Sequence, residues 1–386
     1  MLLQKIIYQI IFFDFVISFN VTYQYSDYII ELIRNNGYLG YRHNIWTEDG
    51  YGLALYQIPS ISESNTNVLL SHGLLSCSAQ WLINGNKSLA FMLANAGYNV
   101  WLLNSRGTFL SDRHRFLSNE DPAYWDYSFH EMGYYDIPAT IDYILDRTKS
   151  EKLHFIGYSQ GGQIILNGVS LRPEYNQKVH SCFLINPGPF LSHMTFGLRK
   201  AFNSVVFVAK ANHIFKLILK NSFLVNLIKF ICHDPLISKV CHHLIMELHG
   251  GNSRQTRNTQ SFMDILTTFI IDNVSVKQLE HVVQLIDSGN FETFDTRLER
   301  YGSKLYGANV SPVQYNLSAF LIPTTVFYGS IDGLTTPTDV RYLISRLRNI
   351  QNVFEIPWNH LDLFVGRNSD QWLHQRIINT LNKYRN

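Results

Sequence analysis

Three residues of this 386-residue chain have the types and the order that acyl transfer requires. Ser159 lies in the segment Gly157-Tyr158-Ser159-Gln160-Gly161, Asp332 follows in a glycine-containing loop, and His360 lies near the C-terminus. A serine hydroxyl is a poor nucleophile at neutral pH, so it needs a histidine as base and a carboxylate that orients the histidine. The three residues therefore predict nucleophilic catalysis by Ser159, with His360 as the base and Asp332 as the orienting acid.

The pentapeptide around Ser159 is typical of a nucleophile elbow, in which the serine occupies a sharp turn between a strand and a helix. An apolar, strand-like run precedes it and an amphipathic helical run follows it. Glycines at 157 and 161 would allow the turn to approach its neighbours closely. The pentapeptide arises by chance in roughly one chain of this composition in ten, so the prediction depends on the flanking strand and helix.

The acid and the base each have an ordinary explanation as well. An aspartate in a loop such as Gly329 to Leu334 is commonly a turn former, and most of the 15 histidines must be ordinary polar residues. Asp332 and His360 are favoured because both follow predicted strands, whose carboxyl ends form the ligand-binding edge of an α/β sheet. Asp339 and Asp362 are rival acids, but Asp339 is expected to start a helix and Asp362 falls beyond the histidine.

Backbone N–H groups are expected to stabilise the developing oxyanion. The loop Ser71-His72-Gly73-Leu74-Leu75 follows a predicted strand, at the position from which an early loop supplies one donor, and the Gln160 N–H would be the second. A plain glycine-containing loop is the alternative. His72 is expected to brace this loop rather than to compete as a base.

The sequence predicts no metal and no cofactor. His242 and His243 lie close to Cys232 and Cys241, but these residues lack the spacing of the usual four-ligand zinc site. Four cysteines are too few for a disulfide scaffold, so the core must supply most of the stability. Cys232 and Cys241 are the strongest candidates for a pair, although two free cysteines on a helix explain the residues equally well.

The elements that must position these residues follow an α/β order. Two strand-like runs within residues 42–58 are joined by the turn signal Asp49-Gly50 and predict an opening β-hairpin. A helix with Asp136 as N-cap and Pro138 in its first turn would cover the sheet just before the Ser159 strand. Short apolar runs, typical of strands in a mostly parallel central sheet with helices on both faces, recur at 68–70, 100–103, 153–156, 182–185, 325–328 and 353–356.

The strand rhythm stops between about residue 190 and residue 310. Helix-like runs at 205–220, 223–232 and 276–288 replace it and predict a helical cap inserted into the sheet domain. We therefore assign residues 191–310 to the cap, and residues 19–190 and 311–386 to the core. The abundant Phe, Leu and Ile of the cap could be ordinary core between helices or could line an apolar ligand cleft, and composition alone does not separate the two.

Composition and the N-terminus bear on partners and destination. Charged residues make up 16% of the chain and the net charge is +2, so nucleic acid is not an expected partner. Lys5, the apolar run that follows it and a cleavage site after Ser18 predict a signal peptide over residues 1–18, with a membrane anchor or an N-terminal core helix as alternatives. No later segment is apolar enough to predict a transmembrane span.

Glycosylation acceptor patterns, which fit the secretory pathway, occur at Asn86, Asn273, Asn309 and Asn316. Asn20 also matches the pattern, close to the predicted cleavage site.

Ordered blocks over most of the chain resemble the acid lipase family, which includes gastric lipase and lysosomal acid lipase. The resemblance implies an α/β-hydrolase fold with an inserted helical cap. The blocks are Thr47-Glu48-Asp49-Gly50-Tyr51, His72-Gly73-Leu74-Leu75, Ser88-Leu89-Ala90-Phe91, Ala96-Gly97-Tyr98-Asn99-Val100-Trp101-Leu102, Asn104-Ser105-Arg106-Gly107, residues 135–142 and Asn359-His360-Leu361-Asp362.

The resemblance also implies roles and substrates. Ser159 would be the nucleophile, Asp332 the orienting acid and His360 the base, and Leu74 and Gln160 would supply the oxyanion N–H groups. The expected enzyme is secreted or lysosomal and hydrolyses neutral lipids at a lipid–water interface, triacylglycerols first and steryl esters second. A soluble carboxylesterase and a lipid-binding protein that has lost turnover are the rival interpretations.

Two further points depend on this resemblance. The nine-residue step from Cys232 to Cys241 is similar to the cap disulfide of the family. Where members usually carry Gly-His-Ser-Gln-Gly-Thr, this chain has Tyr158 and Gly162. Both elbow glycines and Gln160 are kept, so the chemistry is expected to survive, whereas packing around the elbow, and with it rate or substrate preference, could differ.

Overall fold

A nine-stranded sheet forms the centre of the computed structural model, which describes residues 27–62, 66–251, 255, 259–295, 297 and 311–384. The predicted signal peptide over residues 1–18, Asn20 and Asn309 lie outside these described residues. The strands of the sheet are β1 (Tyr41–Trp46), β2 (Tyr51–Ile58), β3 (Asn67–Ser71), β4 (Asn99–Leu103), β5 (Arg113–His114), β6 (Leu153–Tyr158), β7 (Val179–Ile185), β10 (Thr324–Gly329) and β11 (Ile350–Ile356), and a separate antiparallel pair consists of β8 (Lys216–Leu217) and β9 (Val274–Ser275).

The sheet is antiparallel at one side and parallel over the rest. Its order is β1-β2-β4-β3-β6-β7-β10-β11, with β5 paired to β2. The β1–β2 and β2–β4 pairs are antiparallel, whereas every pair from β4 to β11 is parallel. All residues of β3, β4, β6 and β10 are buried, as expected for strands that are covered on both faces. The predicted opening hairpin and the predicted mostly parallel sheet are confirmed.

Helices pack on both faces of this sheet and complete two apolar cores. Neighbouring residues of one strand point to opposite faces, so Leu69 and Phe155 belong to one core while Leu70 and Ile156 belong to the other. The helices are α1 (Tyr28–Asn35), α2 (Leu89–Asn95), α3 (Phe129–Glu131), α4 (Ile137–Thr148), α5 (Gln160–Leu171), α6 (Phe196–Ala211), α7 (Phe223–Cys232), α8 (Ile237–Leu248), α9 (Thr259–Ile265), α10 (Val276–Ser288), α11 (Pro337–Arg346), α12 (Asp362–Val365) and α13 (Gln375–Leu381).

The helix before β6 starts earlier than predicted, and Asp136 is not its N-cap. The helical path begins at α3, where the Ser128 side chain forms a capping box, and it continues through Met132–Asp136 in π-helical geometry into α4. Asp136 has helical backbone angles and makes no capping bond. Its carboxylate instead pairs at 2.6 Å with the buried guanidinium of Arg106, a long-range contact that the local pattern does not contain.

In the described part of the chain between β7 and β10 lie the helices α6 to α10 and the β8–β9 pair. We call residues 186–323, which connect these two strands, the cap segment. The helices predicted at 223–232 and 276–288 are present as α7 and α10. The one predicted at 205–220 is wrong in its bounds, because the chain turns at His213, with φ of +55°, and then adds Lys216–Leu217 to β9. The boundaries predicted for the cap, 191 and 310, stay predictions.

Candidate active site

The nucleophile elbow lies between β6 and α5. Ser159 has φ of +53° and ψ of −115°, a left-handed conformation that costs free energy for any residue with a side chain. The two flanking glycines are required by close backbone contacts. A Cβ at Gly157 would lie 2.6 Å from the backbone of Gly161, and a Cβ at Gly161 would lie 2.2 Å from the carbonyl oxygen of Ser71. The serine is therefore held at the carboxyl end of β6 in the conformation that the pentapeptide predicted.

Ser159, His360 and Asp332 lie in one hydrogen-bonded row. His360 Nε2 is 3.2 Å from Ser159 Oγ, and His360 Nδ1 is 2.7 Å from Asp332 Oδ2. All three side chains are buried. Because a carboxylate only accepts hydrogen bonds, Nδ1 carries the proton toward Asp332, which leaves the Nε2 lone pair directed at the serine hydroxyl.

The Asp332 carboxylate is fixed by its own loop. Oδ1 accepts hydrogen bonds from the N–H groups of Leu334 at 2.8 Å and Thr335 at 2.9 Å, and Oδ2 accepts one from the Thr335 hydroxyl at 2.9 Å. Of the three aspartates considered from the sequence, Asp332 is the one that contacts the imidazole. Asp339 lies in the first turn of α11 and bonds to His193, and Asp362 begins α12.

The backbone of His360 is held by two side chains at the carboxyl edge of the sheet. Its carbonyl oxygen accepts hydrogen bonds from the Tyr158 hydroxyl at 2.7 Å and from Asn186 Nδ2 at 3.2 Å. The Tyr158 ring also packs beside the imidazole, with centroids 5.2 Å apart. Asn186 directly follows β7, and its Oδ1 accepts from the N–H of Gly329. These contacts tie the base to the elbow and to the strand that precedes the acid.

The two residues whose backbone N–H groups are expected to stabilise an oxyanion both line the cleft that contains Ser159. The Gln160 N–H lies in the first turn of α5, where an N–H has no partner within the helix. Leu74 lies in the loop after β3. Among the described residues, no group accepts a hydrogen bond from either N–H.

His72 braces the loop that carries Leu74. Its Nδ1 donates to the Gly73 carbonyl at 2.8 Å, and its Nε2 accepts from the Ser105 N–H at 3.1 Å. Since both ring nitrogens are committed to backbone groups, the ring is not available as a competing base. Burial lowers the pKa of His72 to about 4, which keeps it neutral in this role.

A large apolar cleft opens beside Ser159, with a volume of about 1110 Å³. The cleft lies between the elbow and helices of the cap segment. Apolar residues of these helices therefore line a cleft, in addition to packing against one another. Its apolar lining includes Leu74, Leu191, Met194, Leu198, Phe202, Val205, Phe215, Leu217, Phe223, Leu224, Met263, Leu266, Leu279, Val282 and Phe364.

Two residues that hold the site are not among those predicted from the sequence. Asn186 was detectable in principle, because a polar residue followed by Pro-Gly at the end of an apolar strand falls on the same sheet edge as Ser159. Gln278 was not, since its Nε2 donates to the Gln160 side chain at 2.6 Å across 118 residues of sequence. This buried bond joins α10 of the cap segment to the first residue after the nucleophile.

The remaining candidates lie away from the triad. Cys232 and Cys241 form a disulfide that links α7 to α8, as the resemblance implied. Asn86 and Asn316 are exposed, whereas Asn273 is half-buried and its Oδ1 accepts from the N–H groups of residues 219 and 220. Within the described ranges, no three His, Cys, Asp or Glu side chains cluster as metal ligands, and no helix is long and apolar enough to cross a bilayer.

Two family profiles match the chain. One describes the alpha/beta hydrolase fold and matches residues 66–210, and the other describes a partial alpha/beta-hydrolase lipase region and matches residues 29–85. Together they cover the strands and loops from α1 through the elbow and the start of the cap segment.

Relatives match over nearly the full length. Lipase member N of Mus musculus is 33% identical, human lysosomal acid lipase/cholesteryl ester hydrolase is 32% identical and bovine gastric triacylglycerol lipase is 31% identical. Each match covers 92% of this chain and 90% or 91% of the relative. A solved structure, the soluble variant of monoglyceride lipase from Saccharomyces cerevisiae with a substrate analogue, matches with a TM-score of 0.54 at 13% identity over 88% of this chain and 95% of that one, which shows a shared fold.

Proposed function

The chain belongs to the family of the gastric and lysosomal acid lipases, and from this premise we propose that it is a lipase that cleaves carboxylic esters of neutral lipids through an acyl-enzyme. The observation that carries the proposal is the row Ser159–His360–Asp332, whose serine and histidine line a large apolar cleft. A polar relay beside an apolar chamber suits a substrate whose reactive ester is attached to a long acyl chain.

The geometry supports the following reaction. Ser159 Oγ attacks the ester carbonyl carbon while His360 Nε2 takes the hydroxyl proton, and the N–H groups of Leu74 and Gln160 stabilise the oxyanion. His360 then returns the proton to the leaving alcohol as the C–O bond breaks, which leaves the acyl group on Ser159. A water molecule, deprotonated by His360, attacks the acyl-enzyme, releases the carboxylic acid and restores the serine. Asp332 holds the imidazole and stabilises its charged form throughout.

We also infer that the protein works at a lipid–water interface. The cap segment exposes large apolar side chains, and some of them, such as Phe223 and Ile228, also line the cleft. The apolar surface is thus continuous from the cleft to the outside of the cap segment, as a substrate that resides in a lipid phase requires. Other large apolar side chains that the cap segment exposes are Phe196, Phe207, Ile218, Phe230, Ile231, Leu236, Ile237, Val240 and Leu244.

A secretory destination, extracellular or lysosomal, fits the covalent features. The Cys232–Cys241 disulfide is a bond that persists in oxidising compartments. Asn86 and Asn316 present exposed acceptor sites for glycosylation. Two of the relatives are named as gastric and lysosomal enzymes, which supports the same pathway.

The test compares the wild type with Ser159→Ala on two substrates, a dissolved short-chain ester and emulsified triolein. The proposal predicts that the wild type hydrolyses both, and that the variant loses on the order of 10⁴-fold or more of either activity. Equal hydrolysis by the two proteins would reject the reaction at this serine. Hydrolysis of the dissolved ester without activity on the emulsion would identify a soluble carboxylesterase instead.

A further inference from the structure

A second imidazole lines the cleft beside the relay. His249 directly follows α8 of the cap segment, and its ring lies nearly parallel to that of His360, with an interplanar angle of 29° and centroids 6.4 Å apart. The reaction described above gives this ring no role. The rest of the cleft lining is mainly apolar. A polar ring in such surroundings loses free energy when a ligand covers it without forming a hydrogen bond to it.

The backbone around His249 is fixed against the two loops that carry the acid and the base. The His249 carbonyl accepts from the N–H of Gly333 at 3.1 Å, and the Gly251 carbonyl accepts from Asn359 Nδ2 at 2.8 Å. Gly250 lies between these contacts, where a Cβ would be 1.7 Å from the carbonyl oxygen of Ile331. The position of the His249 ring relative to the relay is therefore set by direct contacts with both loops.

The hydrogen bond of His249 defines which of its ring nitrogens is able to accept a further hydrogen bond. Nδ1 lies 2.7 Å from the carbonyl oxygen of Ile245, and since a carbonyl only accepts, Nδ1 carries the proton. Nε2 of the neutral ring therefore holds a lone pair. In the described part of the chain no group donates to Nε2, and this atom is not enclosed by protein. Burial lowers the pKa of His249 to about 4, so the ring remains a neutral acceptor at mildly acidic pH as well.

We propose that His249 Nε2 accepts a hydrogen bond from a free hydroxyl of the leaving alcohol, and that the protein therefore favours partial acylglycerols over triacylglycerols and steryl esters. This inference rests on the proposed function and adds an order of preference among its neutral lipid substrates. His360 must lie within hydrogen-bond distance of the leaving oxygen, because it delivers the proton there. With the ring centroids 6.4 Å apart, a glycerol unit that presents its ester oxygen to His360 is long enough for a neighbouring hydroxyl to reach the His249 ring.

The same geometry disfavours substrates that lack such a hydroxyl. A triacylglycerol has acyl groups on all three oxygens, and a steryl ester has only carbon near its ester oxygen. Either substrate would cover the His249 ring without offering a donor and would leave Nε2 desolvated and unpaired. A site built to hydrogen-bond a hydroxyl discriminates against the analogue that lacks it.

Two soluble esters of similar size isolate this contact: 2-hydroxyethyl butyrate, which carries the donor, and 2-methoxyethyl butyrate, which does not. We expect the wild type to show a kcat/KM about five-fold higher for the hydroxyl ester after correction for the alkaline hydrolysis rates of the two esters. In His249→Phe, which keeps a flat ring without nitrogen, the corrected ratio should fall to about one, because the hydroxyl ester loses its acceptor and the methoxy ester has none to lose. The wild-type preference should recur with mono-olein against triolein in mixed micelles.

A corrected ratio near one in the wild type would overturn the inference without any variant. An unchanged ratio in His249→Phe would also overturn it, since the preference would then arise elsewhere. If His249→Phe fails to fold, His249→Leu provides the second test, because leucine also has no acceptor and should give a ratio of about one; the full wild-type ratio there would contradict the proposal. Absence of hydrolysis of both esters by the wild type, or full activity of Ser159→Ala, would instead reject the proposed function.

Discussion

The Tyr158 hydroxyl is bonded to the backbone of the residue that carries the imidazole. It donates to the His360 carbonyl at 2.7 Å while its ring packs beside the imidazole, and it is one of two donors to that carbonyl. The ring also covers the oxyanion loop, where a Cβ at Gly73 would lie 3.0 Å from it. The resemblance described above implies that members usually carry histidine at this position, so Tyr158 is a residue by which this chain departs from that pattern.

We expect Tyr158→Phe to lower kcat by roughly five- to ten-fold with KM nearly unchanged, because the His360 carbonyl loses a buried donor and the imidazole is less well fixed toward Ser159. Steady-state kinetics on a soluble ester measure the change. Tyr175→Phe is the matched control, since it removes a tyrosine hydroxyl that bonds Asp142 far from the relay. Equal kcat values for Tyr158→Phe and this control would contradict the positioning role.

At the scale of elements, the strands and most helices could be predicted, because their signals are local. Apolar runs mark strands that are buried on both faces, and the elbow pattern lies at the junction of β6 and α5. Contacts between distant elements could not be predicted. Arg106 and Asp136 are 30 residues apart, and the bond between Gln278 and Gln160 crosses from the cap segment to the core. His249 was missed for the same reason, since nothing in its local sequence distinguishes it from the other histidines.

Arg106 forms contacts that connect several distant elements of the fold. The guanidinium is fully buried against Asp136, which is also buried, and against Asp49, which is 22% exposed, and it stacks 4.0 Å from the Tyr51 ring. It thereby joins β2, the loop after β4 and the helix that covers the sheet.

We predict that Asp136→Asn lowers the free energy of unfolding by about 3 kcal/mol, because the buried arginine would lose its fully desolvated partner. Asp49→Asn should cost clearly less, since water can reach that side of the pair. Urea denaturation of both variants measures the difference. An equal or larger loss for Asp49→Asn would show that the buried pair is not the principal anchor.

At the scale of the whole molecule, buried histidines make stability depend on pH. Burial lowers the pKa of His72 and His374 to about 4 and that of His281 to about 3, whereas in the unfolded chain a histidine titrates near 6.5. Between these pH values the unfolded state binds more protons than the folded state. The stability contributed by these rings is therefore complete above about pH 6.5 and is lost as the pH falls toward 4.

Buried carboxyl groups act in the opposite direction, because burial raises the pKa of Asp136 and Asp272 to about 6. Lowered values for His43, His130, His180, His242 and His249 reinforce the histidine effect, and a raised value for Asp112 opposes it.

We therefore expect a lower melting temperature at pH 4.5 than at pH 7, and a smaller difference between the two in His374→Gln, which removes one of the titrating rings. Thermal unfolding of both proteins at the two pH values, at constant ionic strength, measures this. A wild type that melts at the same or a higher temperature at pH 4.5 would mean that the carboxyl groups dominate.

The central claim is that Ser159, activated by His360, forms the acyl-enzyme, and its most direct test is covalent labelling with an alkyl fluorophosphonate. The serine oxygen bonds to phosphorus as fluoride leaves, and the account predicts one adduct per chain, on the peptide that contains Ser159, with loss of ester hydrolysis in proportion. His360→Ala should be labelled at least about 100-fold more slowly, because the base is gone. An adduct on any other residue, or full ester hydrolysis by the labelled protein, would contradict the account.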